Sequence, residues 1–159
     1  MTQTFNTLND AIALAKFAHF KQKDQAGFDY FEHPRRVMQA VQAQGAAPYV
    51  QMAAVLHDVT EDTKFTSDML YELGFSPAVI VLLDLLDRNT SAKLFRARGG
   101  AADADTFYYE NIRDNPAALM IKTADISDNT LLYRLAYLPE ARQEKLKAKY
   151  ARAWEILHG

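Results

Sequence analysis

Apolar residues return at steps of three and four along nearly the whole chain, and any fold it adopts has to bury faces with that spacing. Leu8, Ile12, Ala15 and Ala18 mark an amphipathic helix over about 8–22, with Asn6, Thr7 and Asn9 available to cap it. Residues 23–32, with Gly27, Phe28, Tyr30 and Phe31, read as a loop. Pro34 opens a helix carrying Val37, Met38 and Val41, and Gly45 ends it. Pro48 opens the next, which runs through Ala53, Ala54 and Leu56 into His57-Asp58. A short helix near 66–73 stops at Gly74, and Pro77 starts another through Val79, Ile80, Leu82, Leu83 and Leu86. Helices are expected again at about 105–114 and 116–127, divided at Asn115-Pro116, and from Pro139 to Leu157. The segment 89–104, with Arg96, Arg98, Gly99 and Gly100, has weak periodicity and reads as a mobile loop or a frayed helical excursion. No stretch reads as a strand. The expected fold class is therefore all-α, a compact multi-helix single domain over 1–159.

A length of 159 residues, 49% of them apolar, suffices for one sizeable core. The net charge of −2 provides no general field for drawing in nucleic acid. No apolar run approaches the length of a membrane span, and the N-terminus carries neither a basic region nor an apolar one of the leader type. The chain has no cysteine, so disulfides and thiolate chemistry are excluded. That fits a cytoplasmic protein, and it limits any metal ligands to His, Asp, Glu and backbone oxygen. Such a set favours a harder cation such as Mn²⁺, with Zn²⁺, Fe²⁺ or Ni²⁺ also admissible.

The chemistry-bearing run is His57-Asp58-Val59-Thr60-Glu61-Asp62-Thr63, placed at the end of an apolar helix that can hold ligands rigidly. Alone, an adjacent His-Asp pair means little. His33 lies at a loop-to-helix junction before Pro34, and Asp125 follows the apolar stretch Ala117–Ile121. A carboxylate on such a helix is costly to bury unless paired or bound to metal. Lys122, three residues before Asp125, offers the pairing alternative. Together His33, His57, Asp58 and Asp125 supply two imidazoles and two carboxylates. One divalent cation so bound keeps open positions for water and substrate. His158 is expected at the solvent surface.

These residues carry a family resemblance. His33, His57-Asp58 and Asp125 resemble the H…HD…D signature of the HD superfamily of metal-dependent phosphohydrolases. The resemblance is closest to the (p)ppGpp hydrolase domain of the RelA/SpoT homologues. His19-Phe20-Lys21-Gln22 is similar to H-x-x-Q, and Gly27-Phe28-Asp29-Tyr30-Phe31-Glu32-His33-Pro34 to G-x-P-Y-I-x-H-P. Leu56–Thr63 resembles L-H-D-x-x-E-D-T, and Lys122-Thr123-Ala124-Asp125 with Asn129 resembles K-L-A-D-x-x-x-N. The resemblance covers about residues 8–157 and implies an HD-domain fold, with His33, His57, Asp58 and Asp125 as ligands of one Mn²⁺. It implies that Glu61 and Asp62 position and activate the attacking water, and that Tyr30 and Asn129 line a nucleotide pocket. Lys122 contacts phosphate or pairs with acidic neighbours. His19 lies outside the metal shell, as a structural or phosphate-side residue.

The chain departs from the family pattern where substrate is chosen. Asp24-Gln25 stand in place of a basic pair, Asp29 in place of a proline, and Ile126 in place of an arginine. Arg35, Arg36, Arg88, Arg96 or Arg98 are candidates to compensate, and the Arg96–Arg98 segment reads as a lid or as an exposed solubilising loop. The expected activity is 3′-pyrophosphate hydrolysis of (p)ppGpp, a small nucleotide substrate. The alternatives are the same chemistry on another nucleotide or phosphomonoester, or a nucleotide-binding sensor with little turnover. The chain shows no synthetase or regulatory segment and is expected to act as a stand-alone hydrolase. The apolar helix at 77–86 and the aromatic C-terminal helix fit either an oligomer interface or the core, so oligomeric state stays open.

Overall fold

The computed structural model describes residues 4–100 and 103–159. Their regular structure is helical: α1 (Leu8–Ala18), α2 (Glu32–Ala43), α3 (Pro48–Leu56), α4 (Val59–Asp62), α5 (Ser67–Leu73), α6 (Pro77–Leu86), α7 (Arg88–Ala97), α8 (Ala104–Arg113), α9 (Pro116–Asn129), α10 (Leu132–Leu135) and α11 (Glu140–His158). The isolated extended pairing is one antiparallel bridge, Lys23 to Asp29. The all-α expectation holds.

The central element is α3. Its Val50, Met52, Ala53, Ala54, Val55 and Leu56 are all buried, as expected of a helix apolar on every side. Helices α1, α2, α6 and α9 pack around it. Ala11 and Ala15 of α1 and Ala53 and Ala54 of α3 are fully buried, and these small residues permit close helix packing. The same core continues through Ile112 of α8 and Ile121 of α9 to Ala153 and Leu157 of α11. Each fully buried leucine, isoleucine or valine contributes about 1.5–3 kcal/mol. Local sequence sets the helix starts. Thr7 and Asp10 form a reciprocal capping box on α1, Asn115 caps α9 through Ala118 N, and proline opens α3, α6 and α9. Gly74 ends α5 at φ 115°, where an added Cβ would lie 3.0 Å from the Thr4 side chain.

Several boundaries differ from the sequence expectation. The first helix ends at Ala18 rather than near 22, because His19 turns inward to Gln22 (2.8 Å) and Lys21 takes a left-handed φ of 63°. The second begins at Glu32, two residues before Pro34. The helix over Pro48 ends at Leu56, and a separate short turn, α4, carries Glu61 and Asp62. Residues 128 and 129 extend α9, and α10 is an additional turn. The largest correction concerns 89–104: residues 88–97 are the helix α7, and α8 begins at 104. Asp87 initiates α7 by accepting from Asn89 N (2.8 Å) and Thr90 N (3.3 Å), and Phe95 stacks near Phe107 at 5.5 Å. No residue of α7 is fully buried, which explains its weak apolar period. Residues 101 and 102 of that segment, like the first three of the chain, lie outside the described residues. No helix among the described residues is long and apolar enough to cross a membrane.

Candidate metal centre and its cavity

Three helices deliver the centre. His33 lies in the first turn of α2, His57 caps the C-terminus of α3 with Asp58 next to it, and Asp125 sits on α9. All four are buried. Each imidazole uses one nitrogen as an anchor and turns the other inward. His57 Nδ1–H donates to the Ala54 carbonyl at 2.6 Å, and His33 Nδ1–H donates to Asp128 Oδ2 at 2.6 Å. His33 Nε2 then lies 2.9 Å from Asp125 Oδ1 and 3.7 Å from Asp58 Oδ2. His57 Nε2 lies 3.2 Å from Asp58 Oδ2 and 3.6 Å from Asp125 Oδ1.

These separations suit a cation. A divalent ion at about 2.1 Å from each ligand spaces adjacent ligands by roughly 3.0–3.5 Å. His57 Nε2 is buried with no hydrogen-bond partner, a costly state that a bound ion relieves. His33, His57 and Asp58 thus form a possible divalent metal site, and Asp125 faces the same point from α9. Without metal, protons balance the charges. Burial works against an imidazolium at His57, yet the Asp58 and Asp125 carboxylates beside it hold it well above its ordinary value. His33 is raised in the same way by Asp125 and Asp128 against its burial. Burial pushes the Asp58 carboxyl upward, but His57 and His33 hold it low.

A cavity of about 400 Å³ opens on the centre, lined by Tyr30, His33, Asp58, Glu61, Asp62, Lys122, Asp125 and Asn129 among others. It collects every site residue singled out from sequence except His57, which lies buried behind it. Tyr30 OH donates to Asp58 Oδ2 (2.8 Å) and Asp62 Oδ2 (3.2 Å). Lys122 Nζ bonds Asp125 Oδ2 at 2.6 Å, and Asn129 Nδ2 donates to Asp125 Oδ1 at 2.9 Å. Glu61 is fixed by the Arg88 backbone N–H at 3.3 Å. Burial, and then the Asp58 charge, push the Glu61 carboxyl up to about 7. Asp62 is also raised by burial and by Asp58, with the Tyr30 hydrogen bond opposing.

The candidate compensating arginines separate. Arg88 lines the cavity, with its guanidinium 4.5 Å from the Tyr108 ring centroid and bonded to Asp105 and Tyr109. Arg35 pairs with Glu32, Arg36 with Asp128, and Arg98 stacks on Phe107. Arg96 lines a different cavity, shared with Ser67, Asp84 and Lys93. Asp24 carries no free charge into the site. Its Oδ1 accepts from Ala26 N and Phe28 N, and its Oδ2 pairs with Arg134 at 3.1 Å. Asp29 pairs with Lys23. Arg134 and Asp128 were not singled out from sequence. Asp128 stands among polar residues and Arg134 within the mostly apolar run 131–138, so neither carries a local signal, and only the fold brings Arg36 to Asp128, 92 positions away. His19 is buried outside the ligand set, its ring 4.8 Å from that of Tyr30. His158 is exposed, as expected, and bonds Thr123 at 3.0 Å.

Comparison with known proteins agrees with this geometry. No family model matches the chain. It is 32% identical over 146 residues to the GTP pyrophosphokinases of Streptomyces coelicolor and Streptomyces antibioticus, a match covering 91% of this chain and 16% of each relative. The chain therefore spans about one sixth of the length of these curated relatives. A solved metazoan ortholog of SpoT, described as hydrolysing ppGpp and acting in starvation responses, superposes with a TM-score of 0.75. The match covers 96% of this chain and 85% of that one, at 24% identity. In sequence the chain is thus similar to a part of these GTP pyrophosphokinases, and in helical fold it is similar to the metazoan SpoT ortholog.

Proposed function

We propose that this domain is a divalent-metal phosphohydrolase that removes pyrophosphate from the 3′ position of (p)ppGpp. The observation that carries the reading is the converging donor set of His33, His57, Asp58 and Asp125, with His57 Nε2 buried and unpartnered, next to the Asp58, Glu61 and Asp62 carboxylate group. Support for the substrate class comes from the ppGpp-hydrolysing neighbour and from the GTP pyrophosphokinase relatives.

These four residues would hold the ion, which we assign as Mn²⁺. When bound, it supplies Lewis acidity toward water and a phosphoryl oxygen. Glu61, half-ionised near pH 7, takes the proton from water as its oxygen bonds to phosphorus. Asp62, held by Tyr30 OH, orients that water. The bond from phosphorus to the ribose 3′ oxygen breaks, that oxygen leaves with a proton as the 3′ hydroxyl, returning the one Glu61 took, and pyrophosphate is released. Tyr30 and Asn129 border the nucleotide, while Arg88, Lys122 and Lys149 on the cavity wall offset phosphate charge.

The test is a turnover screen of metal-stripped protein with Mn²⁺, Zn²⁺, Fe²⁺ or Ni²⁺ restored, against (p)ppGpp, other nucleotides and phosphomonoesters. Equimolar pyrophosphate and guanosine 5′-phosphates from (p)ppGpp are expected. Activity confined to other nucleotides or to monoesters would overturn the substrate, and tight nucleotide binding without turnover would make the domain a sensor.

A further inference from the structure

The proposed chemistry does not touch Asp128, yet this carboxylate has one of the most saturated environments in the molecule. It is only 7% exposed and lies three residues beyond Asp125 on α9. Its Oδ2 accepts from His33 Nδ1 at 2.6 Å, from Arg134 Nη1 at 2.7 Å and from Arg36 Nη2 at 3.1 Å. Its Oδ1 accepts from Arg36 Nε at 2.7 Å. Four donors nearly exhaust what two carboxylate oxygens can accept. Arg36 comes from α2 and Arg134 from α10, so the carboxylate is gripped from both sides. Arg134 also reaches Asp24 Oδ2 at 3.1 Å and Asn129 Oδ1 at 3.2 Å.

An imidazole that ligates through Nε2 must carry its proton on Nδ1, and the partner of Nδ1 decides which nitrogen is protonated and how the ring points. His57 solves this with a backbone carbonyl, Ala54 O. His33 has only a side chain for the purpose. Two guanidiniums grip that side chain from α2 and α10 and fix where its oxygens lie. We propose that Asp128 is the positioning residue of His33, fixing its proton on Nδ1 and aiming Nε2 at the cation, with Arg36 and Arg134 as its permanent countercharges. The inference rests on the metal reading above.

The experiment titrates Mn²⁺ into metal-stripped wild type and D128N, with helix content and Tm recorded on both. D128N should bind Mn²⁺ roughly 10–100-fold more weakly at unchanged helix content. Equal Mn²⁺ affinity in the two proteins would overturn the role of Asp128 and leave the metal site standing. If D128N does not fold, the wild type decides. With Zn²⁺ as a diamagnetic probe, nitrogen shifts of His33 should show the proton on Nδ1 and the metal on Nε2, and the opposite assignment overturns the proposal. Wild type that takes up neither ion removes the metal reading itself, and the inference with it.

Discussion

The two walls of the cavity are built on different terms. On the inner wall each ligand side chain is anchored: His57 to Ala54 O, His33 to Asp128, Asp125 to Lys122 and Asn129, Asp58 to Tyr30. On the outer rim the charges are half-free. Lys23 and Asp29 pair with side chains 57% and 70% exposed, and Arg88 rests on two tyrosines and pairs with the half-exposed Asp105. The inner wall is bought with desolvation and tolerates no loose partner, because an unpaired buried charge costs several kcal/mol. The rim pays nothing for change. Reaction type and substrate choice therefore sit on parts of the molecule with different tolerance to substitution.

The largest effect should come from breaking the inner wall. Asp58→Ala should lose Mn²⁺ by equilibrium dialysis and reduce turnover by at least about 10³-fold; a variant that keeps both ion and rate removes Asp58 from the ligand set. Glu61→Gln should retain Mn²⁺ within a few-fold and lower kcat by about 10²–10⁴-fold. Full activity in that variant would strip Glu61 of its role. Arg88→Ala crosses to the rim. Its contact with Glu61 is made by the backbone and survives the change, so KM should rise roughly tenfold with kcat little altered. A collapse of kcat instead would place Arg88 with the inner wall.

Smaller effects sharpen the contrast through pH. In metal-free protein the Glu61 carboxyl titrates near 7, above its ordinary 4.5, chiefly because of burial. The folded state therefore binds more protons than the unfolded one between those values, and stability falls as pH rises through that window. Glu61→Gln should raise Tm at pH 8 and leave it nearly unchanged at pH 4; equal shifts at both pH values would show the carboxyl to be unperturbed. Smallest of all, Lys23→Ala should change unfolding free energy by less than about 1 kcal/mol in urea titrations.

The same division explains what was legible in the sequence. The core helices were, since Val37, Ala53, Leu83 and Ile121 return at helical intervals and the fold buries them all. Asp125 stood out as a carboxylate on an apolar helix, a locally costly choice, whereas His33 and the His57-Asp58 pair mean little alone and were singled out only together with it and with the family pattern they resemble. Helix α7 was not legible, since its stability comes from the Asp87 cap and a Phe95–Phe107 contact rather than from an apolar stripe. Nor was Asp128, whose partners Arg36 and Arg134 stand on other helices. Asp24 looked like a repulsive charge facing an anionic substrate; its ion pair with Arg134 is a contact between residues 110 positions apart.

One feature of α3 bears on the direction of approach. Its peptide dipoles run from Pro48 toward Leu56, so the end that carries His57 is the negative pole, equivalent to about half an elementary charge. That field draws a cation toward His57 Nε2 with no further side chain required. It repels an anion arriving along the same axis. Electrostatic preference for a cation at this point therefore begins in the backbone of the central helix.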